Sequence, residues 1–179
     1  MRLHRHGYSL AELMVVCAVL AVVAAVALPS AQPVAEYRAE AAADEVAQAL
    51  RFARREAMRS GAYRMLRCDP AQNQLSVYVP DANGAVAANV NHPLSKMNYT
   101  LDLGQAPAGA NLALTGCSFQ FADKTSATTL AFDAAGNPVR GTGAAAAQTQ
   151  ALSSGSVTVG SGNVTRTIAV DVTGRVTTS

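Results

Sequence analysis

Hydrophobic and polar positions fall into three successive patterns along the chain. Residues 8–28 are apolar except at Ser9 and Glu12, a run of the length that crosses a bilayer core. From Tyr37 to Ser60 the period becomes helical. Ala43, Val46, Ala47, Leu50, Ala53 and Ala57 recur at three- and four-residue spacings, with Glu40, Asp44, Gln48, Arg51, Arg55 and Arg59 on the opposite side. The acids Glu36, Glu40, Asp44 and Glu45 precede the bases Arg51, Arg54, Arg55 and Arg59, which complements the helix dipole, and Gly61 predicts a C-terminal cap. Pro29 and Pro33 separate the two runs and predict a kink or a loosened stretch, because each removes an intrahelical hydrogen bond. Continuous from Tyr8 to Ser60, such a helix would be about 80 Å long at 1.5 Å per residue.

After Gly61 the period falls to two. Tyr63 to Arg67 and Gln74 to Val79 predict a hairpin around Asp69-Pro70. Further strands are expected at Tyr99 to Leu103, Asn111 to Leu114, Ser118 to Phe121, Thr129 to Phe132, Ser156 to Val159 and Val164 to Val172, with a turn at Ala134 to Pro138. Asp81 to Pro93 and Gly141 to Ser154 carry little apolar bulk and are expected to be long loops. No internal repeat is evident. A helix with one apolar stripe followed by strands with one apolar face predicts an α+β chain in which sheet covers helix.

Glu12 changes the picture, since a lone carboxylate at bilayer depth costs at least a few kcal/mol and needs a partner. Cutting the chain between Gly7 and Tyr8 would create an α-amino group about one helical turn away, able to pair with Glu12 or with the same residue of a neighbouring copy. Gly7-Tyr8-Ser9-Leu10-Ala11-Glu12-Leu13 resembles the class III prepilin processing site of type IV pilins and pseudopilins. The resemblance implies cleavage after Gly7 by prepilin peptidase, N-methylation of Tyr8 (Phe being the usual residue there) and entry into a pilus or secretion pseudopilus, with Glu12 serving assembly. The residues alone leave two alternatives open. A secretory signal peptide could be cut after Ala27, although a glutamate in its apolar region and Pro29 close behind the cut oppose this. An uncleaved anchor fits the length but leaves Gly7 and Glu12 without a role.

A second resemblance lies downstream. Thr129-Leu130-Ala131-Phe132-Asp133-Ala134-Ala135-Gly136 and Ile168-Ala169-Val170-Asp171-Val172-Thr173-Gly174-Arg175 are similar to two blocks of the GspH/FimT family of minor pilins and pseudopilins. It implies a long N-terminal helix, part membrane span and part amphipathic, packed on a β-rich head of two antiparallel sheets. The organisation expected is a leader at 1–7, a transmembrane and assembly helix at 8–28, an amphipathic helix at 29–60 and a pilin head at 61–179. Expected partners are prepilin peptidase, other minor and major pilins or pseudopilins, and the inner membrane.

Charge and cysteines refine this. The formal charge of +2 comes from Arg2 and Arg5; beyond residue 7, twelve bases balance twelve acids, so net charge gives no bulk attraction to polyanions. The same two arginines place the amino terminus in the cytoplasm and the head across the bacterial inner membrane. Cys17 falls in the apolar run and reads as a space-filler. Cys68 and Cys117 fall in the head, where an oxidising compartment lets them pair. Such a bond would close a loop of about 50 residues and contribute roughly 4 kcal/mol in the chain-entropy model; two free buried thiols are the alternative.

Catalytic chemistry finds little support, and no cofactor or metal is expected. His92 is the only histidine beyond residue 7, Cys68 and Cys117 lack CxxC spacing, and no phosphate-binding glycine loop precedes a helix. Binding is the better class. Arg51, Arg54, Arg55, Arg59, Arg64 and Arg67 form a basic cluster, read first as a solvated helix face and second as an inter-subunit contact. FimT-type members that take up DNA resemble one another in a C-terminal Gly-Arg-x-Arg motif. The matching residues here are Gly174-Arg175-Val176-Thr177, so Arg175 carries over and threonine stands at the second arginine position; Arg166 is a candidate helper, read first as an end-of-strand arginine that caps the apolar face of Ile168, Val170 and Val172. Weak DNA binding is the expectation. The chain is thus expected to be a minor pilin of a type IV pilus, not an enzyme. The rival readings are a type II secretion pseudopilin, a DNA receptor, and a soluble exported binding protein.

Overall fold

The computed structural model describes residues 9–27, 32–105, 111–142 and 149–179, and the side chains of 24–27 and 32–33 are left aside. The chain divides into two compact units, Met1–Pro33 and Val34–Ser179.

The first unit contains α1 (Leu10–Ala27), whose described side chains, through Val23, are all exposed. Among the described residues no helix is long and apolar enough to cross a membrane. Residues 8 and 28, the ends of the expected span, and the join that holds Pro29 lie outside the described residues.

Helix α2 (Gln32–Ser60) starts five residues before the periodicity that announces it. Pro33 falls inside its first turn, where the backbone N–H has no intrahelical partner to lose, so it opens the helix there instead of interrupting it. The expected stripe is buried: Ala43, Val46, Ala47, Leu50, Ala53 and Ala57 are at most 2% exposed, joined by Ala39, Ala42 and Ala49. So many alanines leave the helix backbone close to whatever covers it. Gly61, at φ +64°, ends the helix in the left-handed conformation, and Ala62 N donates to Ala57 O at 3.3 Å, the closing bond of a Schellman cap.

Eleven antiparallel strands follow among the described residues: β1 (Arg64–Asp69), β2 (Gln74–Pro80), β3 (Val86–Asn89), β4 (Thr100–Asp102), β5 (Leu112–Phe121), β6 (Ser126–Ala127), β7 (Thr129–Phe132), β8 (Pro138–Arg140), β9 (Gln150–Ser161), β10 (Val164–Val170) and β11 (Val176–Thr178). Their order is β11-β10-β9-β8-β7-β1-β2-β3, with β4 on β2, β5 on β9 and β6 on β5. The two sheets implied by family resemblance are thus two arms of one hydrogen-bonded, unclosed network. The first two residues of β9 pair with β8, the strand pairs with β5 from Leu152 onward, and from Gly155 it lies between β5 and β10.

Two of the expected strands are one. Leu112 and Leu114 are buried at even positions, Phe119 and Phe121 at odd ones, and a bulge at Thr115 shifts the parity so that both pairs face the core. The tail Asp81 to Pro93, expected as a loop, contains β3. Its four residues are all exposed at a sheet edge, so it carries no inward-facing alternation to read. Likewise β9 begins at Gln150, inside the second expected loop, whose residues 143–148 lie outside the described residues. The last expected strand stops at Val170 because Asp171 starts a turn.

Leu50 and Val46 of α2 pack with Leu66, Leu75, Leu103, Phe119, Phe121, Leu130, Phe132, Val157 and Ile168 in one core. Cys68 of β1 and Cys117 of β5 form a disulfide that ties the two arms, with Cα atoms 6.2 Å apart. A smaller cluster of Met65, Tyr78, Ala131 and Val139 occupies the other face of β1, β2, β7 and β8.

Candidate functional site

Gly7 and Tyr8, the expected cleavage pair, lie outside the described residues. Immediately behind them, Ser9 N donates to Glu12 Oε2 at 3.1 Å and Glu12 N donates to Ser9 Oγ at 3.2 Å. This is a reciprocal capping box at the start of α1, and it holds the exposed Glu12 carboxylate at the positive end of the helix dipole. Cys17 is a free, exposed thiol on the same helix.

In the second unit Arg54 bridges two turns. Its Nε donates to the Gly136 carbonyl at 3.0 Å and its Nη1 to the Gly174 carbonyl at 3.3 Å. One α2 side chain thereby joins the β7–β8 turn to the β10–β11 turn, the two segments that carry the family-like blocks. Arg51 adds a third tie, from Nη2 to Val176 O at 3.2 Å. The turns are built alike. Asp133 Oδ1 accepts from Ala135 N at 2.9 Å and Asn137 N at 2.8 Å, and Asp171 Oδ1 accepts from Thr173 N at 2.8 Å and Arg175 N at 2.9 Å. In each the aspartate carbonyl accepts from the glycine three residues on, and the glycine is left-handed, at φ +82° and +76°. Asp81 to Ala85 repeats the device between β2 and β3, with Gly84 at φ +81°. The hydroxyl of Thr173, followed by the Arg175 N–H, holds the Asp171 carboxyl below its ordinary range.

Five of the six arginines of the cluster are engaged within the fold, and Arg55 is exposed on α2. Arg51 and Arg54 are spent on carbonyls, Arg59 and Arg64 flank Glu56, and Arg67 lies 5.3 Å over the Tyr78 ring. Hydrogen bonds from Arg59 hold the Glu56 carboxyl below its ordinary range. Arg175 is exposed in the β10–β11 turn beside Asp171, whereas Arg166 sits near the far end of β10, sharing a surface recess with Glu40 and Asp44. The hairpin thus separates the two candidate DNA contacts, and each has an acid nearby.

His92 is held more firmly than a solvated loop residue. Its Nδ1 accepts from Leu94 N at 3.2 Å and Ser95 N at 3.3 Å, and its ring lies 5.0 Å from that of Tyr99. Among the described residues no group of three His, Cys, Asp or Glu side chains could hold a metal ion. Sequence reasoning missed the Arg54 junction. The spacing Asp-x-x-Gly, present at Asp81, Asp133 and Asp171, marks the turns but not which of them Arg54 joins.

Residues 42–174 match the family model described as type II transport protein GspH, and residues 2–28 match the prokaryotic N-terminal methylation motif. Among solved structures the chain is similar to the type IV minor pilin FimU of Pseudomonas aeruginosa, with 19% identity, 84% of this chain and 92% of that one covered, and a TM-score of 0.50. It is also similar to the minor pseudopilin EpsH of the Vibrio cholerae type 2 secretion system, with 15% identity, 79% and 96% covered, and a TM-score of 0.53. No match was found among curated protein sequences.

Proposed function

The chain belongs to the type II transport protein GspH family, and on that premise we propose that it works as a minor pilin: a membrane-anchored subunit matured by prepilin peptidase and built into a type IV pilus. The observation that carries this is the joint occurrence, in one chain, of the GspH match over 42–174 and the methylation motif over 2–28. The motif supports cleavage at Gly7/Tyr8, methylation of Tyr8 and a single inner-membrane pass over 8–28 with the head, 61–179, in the periplasm. Its role is mechanical, not enzymatic: α1 packs among the helices of other subunits, and the head contributes to a priming or tip complex.

A secretion pseudopilus is the second reading, favoured by the likeness of the fold to EpsH. Deleting the gene and scoring surface pili against secreted protein separates the two. Loss of pili with secretion intact supports the pilus, and the reverse pattern supports the secretion machine.

A further inference from the structure

The disulfide that ties the two arms has unequal ends. Cys68 lies on β1, an inner strand. It stands opposite Leu75 of β2 on one side, its N–H donates to Thr128 O at 3.0 Å on the other, and it is only 3% exposed. Cys117 lies on β5, whose one edge is covered by β9, with Val157 opposite Cys117. Among the described strands the other edge is paired with β6 alone, and β6 is two residues long, reaching only Phe119 and Gln120. Cys117 is thus left half-buried, lining an open recess of about 430 Å³ with Ser118, Ser126, Ala127, Thr128 and Thr129.

Thiol–disulfide exchange passes through a mixed disulfide, so an outside sulfur must reach one member of the pair, and access decides which. The recess gives that access at Cys117. Cys68, set in the core with Leu66 and Leu75, offers no such path while the fold holds. We propose that Cys117 is the sulfur through which the head exchanges with an outside disulfide or thiol, and that Cys68 is the resolving thiol. In closing the bond, the Cys117 thiolate attacks one sulfur of a disulfide-bearing partner, whose other sulfur leaves as a thiolate. The Cys68 thiol then gives its proton to water, attacks Cys117 Sγ and expels the partner's remaining sulfur. Two electrons pass from the chain to the partner, which ends as the dithiol. The periplasmic setting of this exchange rests on the minor-pilin reading; the order of the two sulfurs rests on the recess and the burial of Cys68.

The test uses the full-length protein in detergent micelles, with Cys17→Ala throughout because Cys17 is a free, exposed thiol. The probe is oxidised glutathione, and the mixed disulfide is read by intact mass and peptide mapping. With Cys68→Ser added, Cys117 should react about tenfold faster or more than Cys68 does with Cys117→Ser added, and denaturant should bring the two rates together. A second measurement needs neither of these replacements. The protein reduced at both head cysteines is mixed with the probe and quenched in acid, and the trapped glutathione should map to the Cys117 peptide. Glutathione trapped on Cys68, equal rates in the folded variants, or no mixed disulfide at either cysteine would overturn the proposal. If the mature chain proves unprocessed at Gly7, the periplasmic setting loses its support while the trapping still decides the order of the sulfurs.

Discussion

A Cβ added to Gly174 would meet the Gly136 carbonyl oxygen at 3.2 Å and Arg54 Nε at 3.3 Å. The two turns therefore touch through backbone at the point where α2 reaches them, and both glycines hold positive φ. Gly174→Ala combines left-handed strain with that crowding and should cost about 1–3 kcal/mol. Arg54→Ala removes two charge-assisted bonds at a half-buried position and should cost a similar amount. Arg54→Lys should recover less than half of it, because a single ammonium lacks the fork that spans both carbonyls. Denaturant unfolding of each variant checks these values.

The turn at Asp171 makes a prediction in acid. Its folded carboxyl titrates below the ordinary value, chiefly through the Thr173 hydroxyl. A depressed folded pKa contributes stability that is fully present above the unfolded value, about 3.9. That contribution is lost as pH falls through the folded value. An NMR titration should place the Asp171 midpoint below the usual carboxylate range, and Thr173→Val should move it upward. A midpoint unmoved by that substitution would assign the shift elsewhere.

The outline was legible because burial writes its own period. All six expected positions of the α2 stripe are buried, since one helix face meets one core, and Ala39, Ala42 and Ala49 widen it beyond the expectation. The hairpin at Asp69-Pro70 was readable for the same reason, with Leu66 opposite Val77 and Cys68 opposite Leu75. Legibility failed where alternation breaks or is absent. The bulge at Thr115 made one strand look like two, and β3, exposed on both faces, looked like a loop. Arg54 was hidden differently. On a helix rich in arginine its composition matches that of its solvated neighbours, and only tertiary structure tells which guanidinium meets two carbonyls.

Cys68 and Cys117 join the two arms across 49 positions of sequence. Replacing both with alanine should lower stability by about 2–5 kcal/mol. Non-reducing peptide mapping of protein expressed in an oxidising compartment should find the two peptides linked. Quantitative alkylation of both thiols without reductant is the contrary result.

At the amino terminus the intact mass of the mature protein should lack Met1 to Gly7 and carry one methyl group, assigned to Tyr8. The capping box gives Glu12 a partner within its own helix. Glu12→Ala should leave insertion intact, because it removes a charge from the span, yet impair entry into the filament. Crosslinking to other subunits that matches the wild type would remove Glu12 from assembly.

DNA binding should be weak, for a geometric reason. Arg166 and Arg175 stand toward opposite ends of the β10–β11 hairpin, with Thr167 opposite Ser179 at one end and the Asp171 turn at the other. At roughly 3.4 Å per residue they lie on the order of 15 Å apart along the strand, too far for two side chains to grip one phosphate. Asp171 lies beside Arg175, and Glu40 and Asp44 lie beside Arg166, so each arginine's field is partly cancelled. Each phosphate contact adds about 0.9 to the salt slope for duplex DNA. One or two contacts therefore give a shallow slope and binding that physiological salt screens. A fluorescence-anisotropy titration of the full-length protein should show weak duplex binding at low salt, a slope below about 2, and loss of most of the signal in Arg175→Ala. Arg166→Ala should change little. Tight, length-dependent binding at physiological salt, lost on replacing Arg175, would instead establish this turn as a DNA receptor.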